Sequence, residues 1–249
     1  MSYLEGIYWD LDGTLANTEL EAHLPAFNKA FVALDLDWYW DEQTYVDLLK
    51  INGGKNRIDF YSKLNKQNFS EDFIFKIHQE KQKNYLNLVK QGSVKLKTGV
   101  NRLINELKKK NIRQFIVTSS SKIQVNLLID VLFGEKNNPF EFCIASEDVS
   151  HHKPNPTPYL KAITDSGINK SNSIVFEDSI PGVKSSMAAD IPTICVKSNI
   201  PTNFDKDISL RCIIDTIGDE KHNSEILLGP ILEEKFITFK YLEKFLNLY

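Results

Sequence analysis

The sequence predicts an α/β protein: a doubly wound parallel sheet interrupted once by a small helical insert. Two observations carry this. Short apolar runs without alternation, at 6–9, 113–117, 140–145, 173–176, 192–196 and 211–214, suit strands buried on both faces. From residue 93 onward they alternate with amphipathic stretches at 98–110, 122–133, 157–166 and 180–189, the rhythm of strand–crossover–strand units. Residues 19–92 break that rhythm and offer no convincing strand.

In chain order, Gly6-Ile7-Tyr8-Trp9 reads as the first strand and stops abruptly at Asp10-Leu11-Asp12-Gly13-Thr14. Helical patterns follow at 19–34, 41–49, 56–64 and 70–89, with Asn17-Thr18 and Gln91-Gly92-Ser93 as hinges. The expected organisation is therefore a core of 1–18 with 93–249 and an insert of 19–92. After the last strand run, 215–228 is polar and matches no template, while 232–248 reads as a strand or helix packed on the sheet edge.

Composition narrows the function classes. The 249 residues carry 30 Lys and Arg against 33 Asp and Glu, a formal charge of −3, with 42% hydrophobic and 25% charged residues. This is ordinary globular composition with enough apolar chain for a core. Near-balanced charge argues against a nucleic-acid partner, and no apolar run approaches the roughly 20 residues of a membrane span. The N-terminal 1–6 has no basic region, so no signal peptide is expected. Three cysteines, Cys143, Cys195 and Cys212, show no paired spacing and read as small buried hydrophobes in a reducing compartment. A cytoplasmic protein is expected.

Ligands of an open parallel sheet bind beyond the carboxyl ends of its strands, and four such ends carry chemistry. Asp10 and Asp12 leave the first strand two residues apart. Two carboxylates about 4 Å apart repel by ~4 kcal/mol at an effective dielectric near 20, a cost that a cation or shared proton offsets. Asp12-Gly13 also reads as an ordinary turn. Thr118-Ser119-Ser120-Ser121 ends the next strand just before a helix, where hydroxyls and free N–H groups suit a phosphate or a plain N-cap. Lys153 precedes Pro154, Pro156 and Pro158, a rigid loop presenting one ammonium; the adjacent His151 and His152 are poorly placed to share one ion. Glu177 and Asp178 end another apolar strand ahead of a glycine and a helix, hard oxygen donors suited to Mg²⁺.

Acid pair, hydroxyl, lysine and acid pair, each at a strand end and in this order, resemble the haloacid dehalogenase superfamily of phosphotransferases, with its Rossmann-like core. The resemblance covers nearly the whole chain. It implies that Asp10 takes the phosphoryl group and that Asp12 is the general acid and base. Ser119 and Ser120 with Lys153 would bind the phosphoryl oxygens. Asp10, Asp178 and the carbonyl of Asp12 would hold Mg²⁺, with Glu177 in or near the same shell. An anionic carboxylate can attack an anionic phosphate only where cations screen the repulsion.

The insert resembles the helical cap of the CbbY-like branch, in an acid–x–x–x–His stretch, Glu19 to His23, and a Gly53-Gly54-Lys55-Asn56-Arg57 turn. On spacing alone that turn equally reads as a plain helix–helix connection. The resemblance implies a phosphorylated sugar as partner, most specifically xylulose-1,5-bisphosphate. Glu19 and His23 would contact the sugar, and Gly53, Gly54, Lys55 and Arg57 would hold its distal phosphate. Asn17 stands where many relatives carry Asp, which removes a charge at the hinge. The other readings are a phosphosugar mutase resembling β-phosphoglucomutase and a non-catalytic sensor, which would have no need of Asp12. A monomer is the expected state. His78 and His222 read as surface residues.

Overall fold

The computed structural model describes residues 3–51, 53–200 and 210–248. Met1 and Ser2 of the leader reading, Asn52 ahead of the paired glycines, and Tyr249 lie outside them. The chain forms two compact units, Met1–Asn17 with Lys95–Tyr249, and Thr18–Val94. The expected division at 18/19 and 92/93 differs from these bounds by one and two residues.

The smaller unit holds α1 (Leu24–Ala33), α2 (Glu42–Leu48), α3 (Gly54–Leu64) and α4 (Glu71–Lys90). Its start is not the single helix expected over 19–34: Glu19–His23 forms one wide π-helical turn before α1. Asp41 caps α2 by accepting from Thr44 N–H at 2.7 Å, and Ser70 caps α4 by accepting from Phe73 N–H at 3.3 Å. The core is aromatic, with Phe27, Phe31, Trp38, Trp40 and Tyr45 buried together. Asn28 fixes Trp40 through its backbone, donating to the carbonyl at 2.8 Å and accepting from the N–H at 2.9 Å.

The larger unit is built on β1 (Gly6–Trp9), β2 (Arg113–Val117), β3 (Cys143–Ile144), β4 (Ser173–Glu177), β5 (Thr193–Val196), β6 (Ile213–Ile214) and β7 (Ile226–Leu228). Spatial order is β3-β2-β1-β4-β5-β6-β7, with β7 antiparallel to β6 and the other pairs parallel. All residues of β1, β4 and β5 are buried, which is why their sequences are apolar without alternation. Trp9 stacks on Phe176 and Tyr8 on Phe115, with ring centroids 4.5 and 5.0 Å apart. Helices α5 (Val100–Lys109), α6 (Lys122–Phe133), α7 (Thr157–Ser166), α8 (Ile180–Ala188) and α9 (Phe239–Leu246) complete the unit.

Three expectations change. The run at 140–145 condenses to the two-residue edge strand β3. The unassigned 215–228 contains β7, three residues long and too short to show a period. The terminal stretch resolves into α9, which buries Tyr241, Leu242, Phe245 and Leu246. No helix among the described residues is long and apolar enough to cross a membrane.

The chain leaves β1 for β2 on one side and returns to β4 on the other, so a crevice opens beyond the carboxyl ends of β1 and β4. Asp10 follows β1 and Glu177 ends β4, side by side.

Candidate active site

Asp10 continues the ladder past β1, its N–H donating to the Phe176 carbonyl at 2.9 Å. This sets its carboxylate beside that of Glu177. Lys153 enters between them: its Nζ donates to Asp10 Oδ1 at 2.7 Å, to Glu177 Oε1 at 2.6 Å and to the Val117 carbonyl at 2.8 Å. One ammonium therefore ties the ends of β1, β2 and β4 together. All its donors are engaged, and Asp10, Lys153 and Glu177 are buried.

Glu177 is saturated by protein donors. Oε1 also accepts from Tyr159 Oη at 2.6 Å, while Oε2 accepts from Asp178 N–H and Ser179 Oγ, each at 3.3 Å. Its carboxyl lies so close to Gly182 that a Cβ there would sit 2.0 Å away, so only glycine fits. Gly13 plays the same part for Asp178: it holds φ of +90°, and a Cβ would lie 2.1 Å from Asp178 Oδ2. Thr14 Oγ1 donates to Asp178 Oδ1 at 3.3 Å.

Asp10, Glu177 and Asp178 each offer a carboxylate oxygen, and these lie within 4.8 Å of one another. The donor set is hard, oxygen-only and buried, which suits a small divalent cation. Burial, and then the charge of Glu177, push the Asp10 carboxyl well above the usual range, with Lys153 opposing. For Lys153 burial would lower the pKa, but Asp10 and Glu177 outweigh it and the ammonium is held charged. Burial likewise raises the Tyr159 phenol, with Glu177 beside it, so Tyr159 stays a donor.

Asp12 stands apart from the acid trio. Its Oδ2 accepts from Ser120 Oγ at 2.6 Å. Ser120, expected on phosphate, thus has its hydroxyl on Asp12, while its N–H donates to Thr118 Oγ1 at 3.1 Å. Ser119 is exposed at the same strand end, and His151 and His152 are exposed beside buried Lys153.

In the helical unit, Glu19 accepts a hydrogen bond from the Tyr45 hydroxyl. His23 Nδ1 lies 2.7 Å from Lys81 Nζ, and its ring stacks on Tyr85 at 4.3 Å. Gly53, at φ of +87°, and Gly54 open α3. Arg57 Nε donates to the Ile51 carbonyl at 2.9 Å, with its guanidinium 5.9 Å from the Tyr45 ring centroid. Lys55 lies 5.9 Å from the Phe75 centroid. His78 is not the surface residue expected. Its ring packs on the first turn of α3, where a Cβ on Gly54 would come within 2.9 Å of it. Burial, then Lys81, Lys55, His23 and Arg57, lower its pKa to about 4, so the imidazole is neutral amid cations.

The profile described as haloacid dehalogenase-like hydrolase matches residues 7–196. The chain belongs to this family. Among curated relatives, Protein CbbY of Rhodobacter capsulatus is 35% identical over 196 residues, 78% of this chain and 86% of the relative. Among solved structures, CbbY from Rhodobacter sphaeroides in complex with phosphate matches with TM-score 0.77 and 31% identity, covering 86% of this chain and 94% of that one. A variant of the same protein in complex with xylulose-(1,5)bisphosphate matches with TM-score 0.76 and 30% identity over the same shares.

In this haloacid dehalogenase-like hydrolase, residues without a functional signal in the sequence also sit in these clusters. Tyr159 sits in a stretch read only as a helix start, and its hydroxyl reaches Glu177 across 18 residues. His78, Lys81 and Tyr85 were legible as one face of α4 from their i, i+3, i+7 spacing, but a lone helical histidine amid polar neighbours reads as solvated. Lys97 carried no local signal at all. In this hydrolase its Nζ donates to the Gly13 carbonyl at 2.5 Å and to the Lys197 carbonyl at 3.0 Å.

Proposed function

We propose that this hydrolase is a Mg²⁺-dependent phosphatase of a sugar bisphosphate, with xylulose-1,5-bisphosphate as its substrate. The observation that carries the reading is the bridge of Lys153 between Asp10 and Glu177, with Asp178 within a cation's reach of both.

Asp10 is the nucleophile in this reading. Its Oδ1 is fixed by Lys153, and its carboxylate attacks phosphorus to give an aspartyl-phosphate while the P–O bond to the sugar breaks. Asp12 gives its proton to the departing sugar oxygen, then takes one from the water that hydrolyses the acyl phosphate. Ser120 orients Asp12 for both transfers. Ser119, with its hydroxyl at the mouth of β2, and Lys153 neutralise the phosphoryl oxygens. Asp10 and Asp178, with the Asp12 carbonyl, would hold Mg²⁺, which supplies charge to offset the meeting of carboxylate and phosphate. Glu177 positions Lys153 and Tyr159 through Oε1, and its carboxylate would stand in or near the same metal shell.

The helical unit supplies selection. Lys55, Arg57 and the N–H groups of Gly53 and Gly54 would take the second phosphate, and Glu19 and His23 the sugar hydroxyls. The Lys81 side chain adds to that cationic region, in which His78 stands as a neutral imidazole. The protein is read as monomeric and cytoplasmic.

Purified protein with Mg²⁺ should release phosphate from xylulose-1,5-bisphosphate far faster than from xylulose-5-phosphate. Equal rates would remove the distal site. Isomer interconversion dependent on catalytic bisphosphate, with little free phosphate, would select a mutase instead. Undiminished turnover in Asp10→Asn would end the nucleophile assignment.

A further inference from the structure

We propose that Lys97 is a positioning residue for the catalytic acids, holding the turn after β1 in the shape that Asp178 requires. This rests on the phosphatase reading for its purpose, but not for its geometry.

The turn at residues 10–16 is held internally by three short backbone bonds: Gly13 N–H to the Ala16 carbonyl at 2.8 Å, and Leu15 and Ala16 N–H to the Leu11 carbonyl at 3.0 and 3.2 Å. Lys97 grips this turn twice from outside. Its backbone N–H donates to the Leu15 carbonyl at 2.9 Å, and its Nζ to the Gly13 carbonyl at 2.5 Å. The same Nζ donates to the Lys197 carbonyl just past β5 at 3.0 Å. One side chain thus ties the turn after β1 to the loop after β5.

Gly13 is where that restraint matters. Its peptide lies between Lys97 on one side and the Asp178 carboxylate on the other, with no room even for a methyl group toward Asp178. A shift of Gly13 would displace Asp178, and with it Thr14, whose hydroxyl donates to that carboxylate. Burial lowers the Lys97 pKa, while Asp178 and, more weakly, Asp10 oppose that shift and favour its charge. Lys153 is occupied by Asp10 and Glu177, and Lys97 brings further positive charge that Asp178 feels.

Geometry and charge make opposite predictions for metal binding, and this makes the proposal testable. Removing a positioning group disorders the site and weakens Mg²⁺. Removing a merely repulsive cation strengthens it. Lys97→Met and Lys97→Arg would be compared with wild-type protein, free of substrate, by titration calorimetry with Mg²⁺ alone and by backbone hydrogen exchange across residues 11–16. In Lys97→Met, the Gly13, Leu15 and Ala16 amides should exchange faster and Mg²⁺ should bind about tenfold more weakly, the worth of one charge-assisted hydrogen bond. Lys97→Arg, which can still donate to both carbonyls, should restore both. Unchanged exchange in Lys97→Met, or Mg²⁺ bound as tightly as in wild type or tighter, overturns the proposal. Failure of Lys97→Arg to recover either property does so too. If the variants respond in this way while wild-type protein releases no phosphate, the phosphatase reading is overturned and the role of Lys97 stands.

Discussion

Ser120 Oγ donates to Asp12 Oδ2 at 2.6 Å, joining residues 108 apart in sequence. The hydroxyl fixes the plane of the Asp12 carboxyl group, as the proposed giving and taking of a proton requires. Ser120→Ala should lower kcat about tenfold with KM nearly unchanged, since one hydrogen bond to a charged group is lost and no binding contact. Asp12→Asn removes the proposed proton carrier and should cost roughly 10²–10⁴ in kcat. Steady-state phosphate release on both variants checks the ranking; a KM effect in Ser120→Ala would place its hydroxyl on substrate instead.

Lys153 is the cation of a buried triad, and its loss strands two carboxylates. Lys153→Met should abolish turnover and destabilise the fold by about 3–5 kcal/mol. Adding Glu177→Gln to it removes one stranded charge, so melting temperature should partly recover while activity stays lost. Thermal melts of the single and double variants separate the two consequences.

Gly13 and Gly182 are predicted to be intolerant for different reasons. Gly13→Ala combines a positive φ with a 2.1 Å approach to Asp178, so both stability and Mg²⁺ binding should suffer. Gly182→Ala meets only the saturated Glu177, at 2.0 Å, and should disturb the Lys153 bridge while sparing Asp178. Calorimetric Mg²⁺ titrations of the two variants would show the larger loss at Gly13.

His78 gives the helical unit an acid-sensitive element. Its folded pKa, about 4, lies below the ordinary 6.5. A depressed value means that its contribution is fully present above pH 6.5 and is lost as pH falls toward 4. The cost should reach about 1–2 kcal/mol near pH 4, reduced from the full shift by its remaining solvent contact. His78→Gln should flatten the pH dependence of melting over that window.

The parts legible in the sequence were those whose cause is local. Buried parallel strands cannot alternate, so β1, β2, β4 and β5 stand out as apolar runs ending in Asp10, Thr118 and Glu177. The parts that escaped depend on distant partners. Nothing near Ser120 says that its hydroxyl will meet Asp12 rather than a ligand. Nothing near His78 says that Gly54 will receive its ring. Lys97 lies between a hinge and a helix, in a stretch with no period, and its value comes only from the Gly13 and Lys197 carbonyls. Strand β7 stayed hidden because three residues cannot display a repeat.

The segment leading out of the sheet unit at Ala16 and the segment returning at Leu96 meet in a single antiparallel bridge, and the Lys97 N–H donates to the Leu15 carbonyl beside them. Departure and re-entry therefore share a single doorway. Whatever lies between needs only adjacent ends, so closing that loop takes little from the sheet's own stability. Replacement of 18–94 by a different module, or by a short flexible joint, would meet no topological obstacle, and evolution or an engineer could exchange that unit without rebuilding the sheet it interrupts.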